Sequence, residues 1–174
     1  MTRSIVEQAH DFYDAVPYEV PVPEASLYEL LDTAARLYPD RVALDYFGAT
    51  TTYAQVREQV LRAARVLHEA GVRAGDTVAI ALPNCPQAFV AFYACMRIGA
   101  VAAQHNPLAP AQEIAGQLAR HGGRVAIVWE KCVDAYPLDA LDTVLTVDIS
   151  VAMPASQRFL LKLPVPRARQ MRAQ

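Results

Sequence analysis

Gly75-Asp76-Thr77-Val78-Ala79-Ile80-Ala81-Leu82-Pro83-Asn84-Cys85-Pro86, continued by the largely apolar run Gln87 to Met96 and by Arg97-Ile98-Gly99-Ala100-Val101, decides the fold. Val78 to Leu82 is apolar on both faces, as strands are inside parallel sheets that helices cover on each side. Pro83-Asn84-Cys85-Pro86 interrupts the run, and Pro86 suits a first helical turn, where its missing N–H costs nothing. Ala88 to Ile98 leaves that helix almost no polar face, which predicts a helix buried all round. Gly99 stops it, and Ala100 to His105 reads as the next strand. Strand, break, helix, glycine stop and strand make a βαβ crossover, so the fold class is α/β with a mostly parallel sheet flanked by helices.

Upstream, Thr52-x-x-Gln55 is a capping box. The helix it opens puts Val56, Val60, Ala63, Ala64, Leu67 and Ala70 on one stripe, with Glu58 to Arg62 and Arg65 to Glu69 spaced for pairing on the outside. Gly71 is its left-handed stop. Before it, Val42 to Phe47 and Thr50 to Tyr53 read as a short hairpin about Gly48-Ala49. A second capping box, Ser26-x-x-Glu29, opens a helix that ends at Pro39 and whose predicted buried face is Leu27, Leu30, Leu31, Ala34, Ala35 and Tyr38. Residues 4–15 suit a short helix, and Val16 to Pro23, with three prolines, an extended arm.

Downstream, Asn106-Pro107-Leu108-Ala109-Pro110 leaves the carboxyl end of a strand, the edge where α/β sheets place ligands. A helix over about 110–120 ends at His121-Gly122-Gly123; strand Arg124 to Trp129, an irregular segment 131–141 and strand Thr143 to Val147 follow. After Asp148 no acidic residue occurs, while Arg158, Lys162, Arg167, Arg169 and Arg172 do. With Phe159, Leu160 and Leu161 among them, 158–172 permits a weak amphipathic contact with a membrane surface. Pro164 and Pro166 break it after about two turns, which favours a solvated basic linker or the start of a further subdomain. The organisation is thus 1–23 helix and arm, 24–148 α/β subdomain, and 149–174 basic linker or next-subdomain start.

At 174 residues the chain suits one domain plus a tail. A 53% apolar composition predicts either a large core or a surface that another piece, or a second copy, covers. The formal net charge of −2 excludes whole-chain attraction to nucleic acid. Cys85, Cys95 and Cys132 form no C-x-x-C pair and read as reduced core cysteines. Glu7, Asp11 and Asp14 exclude a secretory core at the start, and no apolar run reaches the roughly 18 residues of a spanning helix. A cytoplasmic location is the expectation.

The seven glycines make neither G-x-G-x-x-G nor G-x-x-x-x-G-K-[ST], so both standard nucleotide loops are missing and a Rossmann-type binder is disfavoured. His10, His68, His105 and His121 are scattered; His105, at a strand end, reads as a histidine bonded to nearby backbone rather than a catalytic one. Cys85, beside a helix N-terminus, is the one thiol placed for a depressed pKa. No catalytic, cofactor-binding or metal-binding residue is assigned from the sequence.

Five stretches together resemble the opening of the AMP-forming acyl-CoA synthetases, the acyl-adenylate-forming superfamily: Pro39-Asp40-Arg41-Val42-Ala43-Leu44; Thr51-Thr52-Tyr53-Ala54-Gln55-Val56; Gly71 to Ile80; Leu82-Pro83-Asn84-Cys85-Pro86; and Met96-Arg97-Ile98-Gly99-Ala100-Val101 leading to Asn106-Pro107. Their order covers residues 24 to about 148, and the Leu-Pro-Asn and Asn-Pro forms look like a fatty-acid–CoA ligase. Gln104-His105 departs from that family's usual strand end. The resemblance implies ATP, Mg2+ and CoA for a full-length parent, a fatty-acid substrate, and catalytic parts beyond Gln174 with no matching position here. It implies an N-terminal subdomain, inactive alone, whose partners are the remaining domains of the same ligase. The competing reading is a small noncatalytic α/β protein binding a ligand or partner at the Asn106–Pro110 edge.

Overall fold

Thr77–Ala81 forms β3, with Val78, Ala79, Ile80 and Ala81 all buried, and Pro86–Ile98 forms α3, stopped by Gly99 at φ 73°. The computed structural model describes residues 24–162; the predicted helix 4–15, the arm 16–23 and the end of the tail lie outside the described residues. Before β3 come α1 (Leu27–Leu37), β1 (Val42–Tyr46), β2 (Ala49–Thr52) and α2 (Tyr53–Glu69). After α3 follow β4 (Val101–Gln104), α4 (Ala111–His121), β5 (Val125–Trp129), 3-10 turns at Glu130–Ala135 and Leu138–Ala140, β6 (Thr143–Val147), a 3-10 turn at Ile149–Ala152 and α5 (Ala155–Lys162).

The main sheet has the order β4-β3-β5-β6 and every pairing in it is parallel. β1 and β2 pair antiparallel as a separate hairpin, turning through Phe47 (φ 55°) and Gly48 (φ 88°). Period-two alternation splits β3 between two cores. Val78 and Ile80 face α2 and α3, packing with Ala64, Leu67, Ala94 and Cys95. Ala79 and Ala81 face α4, packing with Ile114 and Leu118. The chain therefore steps from β3 out to β4 on one face and back past β3 to β5 on the other. The order reverses between β3 and β5, the kind of point at which open α/β sheets form a ligand crevice at their carboxyl ends.

The Thr52 capping box forms as read, with Gln55 N–H donating to Thr52 Oγ1 at 3.3 Å and Thr52 N–H to Gln55 Oε1 at 2.9 Å. Arg65 Nε pairs with Glu69 at 2.8 Å and Arg62 with Glu58 on the same outer face. Two expected faces differ. On α1 the buried residues are Tyr28, Leu31 and Ala35, whereas Leu27, Leu30 and Tyr38 face solvent. Among the described residues this peripheral helix packs mainly toward α2 and α3, and Tyr28 takes the inner position with its rim satisfied: its hydroxyl donates to Asp32 at 3.3 Å and Arg97 sits 5.2 Å over its ring. Nor is α3 buried all round. Val90, Ala91, Ala94 and Cys95 are buried, but Phe89, Phe92 and Tyr93 are half-buried along an open cleft.

Asp32 ties α1 to α2, accepting from Arg57 Nε at 2.6 Å and pairing with Arg36 at 3.2 Å. The Arg57 hydrogen bond holds its carboxyl below the usual carboxylate range. Because the folded value is depressed, the stabilisation is present above the unfolded carboxylate value near 4 and is lost as pH falls through the folded one. Asp32→Ala should lower stability by about 1 kcal/mol at pH 7 in urea titrations, a difference that shrinks as pH falls below the unfolded carboxylate value near 4.

Candidate functional site

The carboxyl edge of the sheet gathers the loops after β3 and β4. His105 N–H donates to Ile80 O at 2.9 Å, continuing the ladder one residue past β4. The chain then turns at Asn106, whose Oδ1 accepts from Leu108 N–H at 3.0 Å. The predicted edge loop Asn106–Pro110 is thus a self-bonded turn that shows Asn106 and Leu108 to solvent and buries Ala109.

Beside this edge lies a cleft of about 540 Å³ between the β1–β2 hairpin and the start of α3. Phe89, Phe92 and Tyr93 form its aromatic side, with ring centroids 4.6 Å apart for Phe89–Tyr93 and 5.4 Å for Phe92–Tyr93. Asn84 and Gln104 supply amides at its rim, and Asp45 is its single carboxylate. That carboxylate already accepts from Gly48 N–H at 2.9 Å. The cleft offers shape, aromatic surface and amide groups, with no lysine or arginine among its lining residues to meet phosphate.

Cys85 is a free core cysteine, as read, and the depressed pKa that its place beside a helix N-terminus allows is not found. It is the residue just before α3 and does sit at a helix N-terminus, but it is buried at 8% exposure and burial pushes its thiol up. Cys95 is pushed up to about 11 and Cys132 is raised as well, so the three thiols are poor nucleophiles at neutral pH. Among the described residues no group of three or more His, Cys, Asp or Glu is placed to hold a metal, and no helix is long and apolar enough to cross a membrane.

His105 also departs from its reading. Its ring is buried at 6% exposure, with Nδ1 3.2 Å from Tyr136 Oη and Nε2 3.0 Å from His121 Nε2 rather than on backbone. His121 Nδ1 in turn accepts from Gly123 N–H at 3.0 Å. The two histidines are 16 residues apart and the tyrosine 31 from the first, spacings with no local signal. Only the return of α4 across the sheet brings them together.

The architecture is a parallel four-stranded sheet with helices on both faces and loops gathered at its carboxyl end, an arrangement shared with solved N-terminal subdomains of adenylate-forming enzymes. Residues 31–168 match the profile of the family described as AMP-binding enzyme, and the chain belongs to that family. It is similar to a long-chain-fatty-acid–CoA ligase of Bacillus subtilis (strain 168), 28% identical over 159 residues that cover 88% of this chain and 28% of that enzyme. Among solved structures it is similar to the inhibitor-bound N-terminal domain of FACL13 from Mycobacterium tuberculosis (26% identity, TM-score 0.64, 78% of this chain and 35% of that one). It is also similar to the Klebsiella oxytoca NpsA N-terminal subdomain in complex with anthranilyl-AMSN (29% identity, TM-score 0.63, 73% and 32%). The chain therefore spans less than a third of the length of the Bacillus enzyme.

Proposed function

We propose that this chain is a supporting part of an ATP-dependent fatty-acid–CoA ligase and does not catalyse the reaction by itself. In that ligase a carboxylate attacks the α-phosphate of Mg-ATP, pyrophosphate leaves, and the thiol of CoA then displaces AMP from the acyl-adenylate. The observation that carries this reading is the coverage: 88% of the chain aligns with 28% of a long-chain-fatty-acid–CoA ligase. The chemistry on the chain agrees. A phosphoryl-activating site needs positioned cations or a backbone cradle, and the cleft lining has neither a lysine nor an arginine. The lining of this cleft does not fit ATP-Mg or CoA, and those groups are assigned to the parent enzyme as a whole. What the chain supplies is a rigid wall, with the sheet holding the Leu82–Pro86 and Asn106–Pro110 loops in place.

The remaining domains of the ligase are its expected partners. Exposed Phe47, Val151, Phe159 and Leu160, at 60%, 59%, 65% and 47% exposure, are the apolar surface they, or a second copy, would cover. Gln157 Nε2, 3.1 Å from Phe47 O, joins α5 to the hairpin tip at this patch. The same exposed Phe159 and Leu160, in a stretch of sequence that carries bases over 158–172, support a weak contact with an anionic membrane surface of a cytoplasmic, peripheral enzyme.

The test is ATP–pyrophosphate exchange with palmitate, acetate and anthranilate, run on this chain and on the longer protein that carries it. The expected outcome is no exchange by the chain and palmitate-dependent exchange by the longer protein. Exchange by the chain alone would overturn the supporting role, and a preference for anthranilate would overturn the fatty-acid assignment.

A further inference from the structure

Tyr136, His105, His121 and Gly123 form one hydrogen-bonded row whose proton positions are fixed by its end. A backbone N–H can only donate, so Gly123 makes His121 Nδ1 an acceptor. In a neutral ring the proton of His121 then lies on Nε2 and points at His105 Nε2, 3.0 Å away, which must accept. The proton of His105 is left on Nδ1, directed at Tyr136 Oη at 3.2 Å. Each ring is neutral, and each nitrogen has one task.

The row has no room for another proton. Charging His105 puts N–H against N–H between the two rings, and charging His121 turns its Nδ1 into a donor facing the Gly123 N–H. Whichever ring takes the first proton, one bond of the row breaks. We propose that the His105–His121 pair is an acid-sensitive latch, which at neutral pH pins the carboxyl end of α4 to the Asn106–Pro110 loop leaving β4 and releases it on mild acidification. This inference does not depend on the proposed ligase activity.

The surroundings favour the neutral form. From the sheet the α4-side core presents Ala79, Ala81, Ala126 and Val128, which carry no charge. From α4 the charge acting on both rings is the Arg120 guanidinium. From the segment after β5 the row meets Tyr136, pushed up to about 12 by burial with Cys132 nearby. Glu113, Glu130, Lys131 and Asp134 on the same elements stand exposed. Burial first, then His121 and Arg120, lowers the pKa of His105; burial lowers that of His121 against the opposing pull of a hydrogen bond to its own backbone, and Arg120 lowers it further. The folded chain consequently binds fewer protons than the unfolded one just below the ordinary imidazole value. The latch is complete above about pH 6.5 and weakens as pH falls from there to the depressed folded value.

The test is a pH titration of the full chain by imidazole ¹⁵N NMR, with amide hydrogen exchange followed in parallel. Above about pH 7 the expected signals are Nδ1–H on His105 and Nε2–H on His121. Both patterns should persist through the ordinary imidazole value near 6.5 and vanish in one coupled step only at the depressed folded value, while between the two the Gly122 and Gly123 amides should exchange about tenfold faster per unit fall in pH after correction for intrinsic chemistry. Tyr136→Phe, which leaves the two rings paired, should keep the coupled step, while His105→Gln should abolish it. Two independent titrations near the ordinary imidazole value, with Gly123 exchange unaffected, would overturn the latch, and the wild-type titration decides this even if a variant does not fold.

Discussion

Leu67→Ala is expected to remove about 3–5 kcal/mol of stability, a large part of the roughly 5–15 kcal/mol that holds a domain of this size folded. Leu67 is 1% exposed and lies where α2 meets β3, in the cluster with Val72, Val78 and Ile80. Truncation there loses both the transfer energy of its methyl groups and the contacts of atoms that cannot close the gap, because the strand behind is held by ladders on both sides. Urea unfolding should show a lower midpoint with an unchanged m-value. Leu30→Ala on α1 makes the contrast, since Leu30 is 63% exposed and its loss should cost no more than about 0.5 kcal/mol. Equal effects from the two variants would mean that the α2–β3 layer is not the centre of the fold.

Gly123→Ala is expected to cost about 1–3 kcal/mol through overpacking, and more if the row of histidines is lost with it. A Cβ at this position would stand 2.7 Å from Thr77 O and 2.9 Å from His121 Nδ1. The first atom is backbone at the start of the central strand and cannot swing away. The second is the ring that Gly123 N–H orients. Thermal melting should show the loss, and the imidazole signals of His105 and His121 should change tautomer pattern in the same variant. Gly48→Ala meets nothing within 4 Å and should cost only the left-handed backbone at φ 88°, about 1 kcal/mol. A Gly123 variant as stable as the wild type would contradict the close approach of α4 to β3.

The βαβ centre was legible because each part of it has a local cause. A two-faced apolar strand, proline at the first turn of α3 and glycine at its left-handed stop all act within a few residues, and each stands in the structure where the pattern puts it. The Thr52–Gln55 box and the α2 stripe were legible for the same reason. What periodicity could not supply was which apolar stripe meets a neighbour. On α1, Leu27 and Leu30 are as hydrophobic as Leu31, yet only the side turned to α2 and α3 is buried. On α3 the aromatic side borders a cleft, with Phe89 and Tyr93 only partly covered by the cluster of α1 and α2. The Cys85 thiol was legible as a core cysteine, while the direction of its pKa shift was not, because position at a helix N-terminus is visible in sequence and the degree of burial is not. The His105–His121–Tyr136 row was invisible in sequence, since it depends on a strand end, a helix end and a 3-10 turn that meet only after the sheet has formed.

The central claim is that this chain is a wall of a ligase site rather than the site itself. Calorimetric titration of the 174-residue chain with Mg-ATP and then with a non-hydrolysable long-chain acyl-adenylate analogue tests it most directly. The expected result is no saturable heat with either. Saturable binding of the analogue or of Mg-ATP would contradict it, because it would place a complete nucleotide or acyl site within these residues.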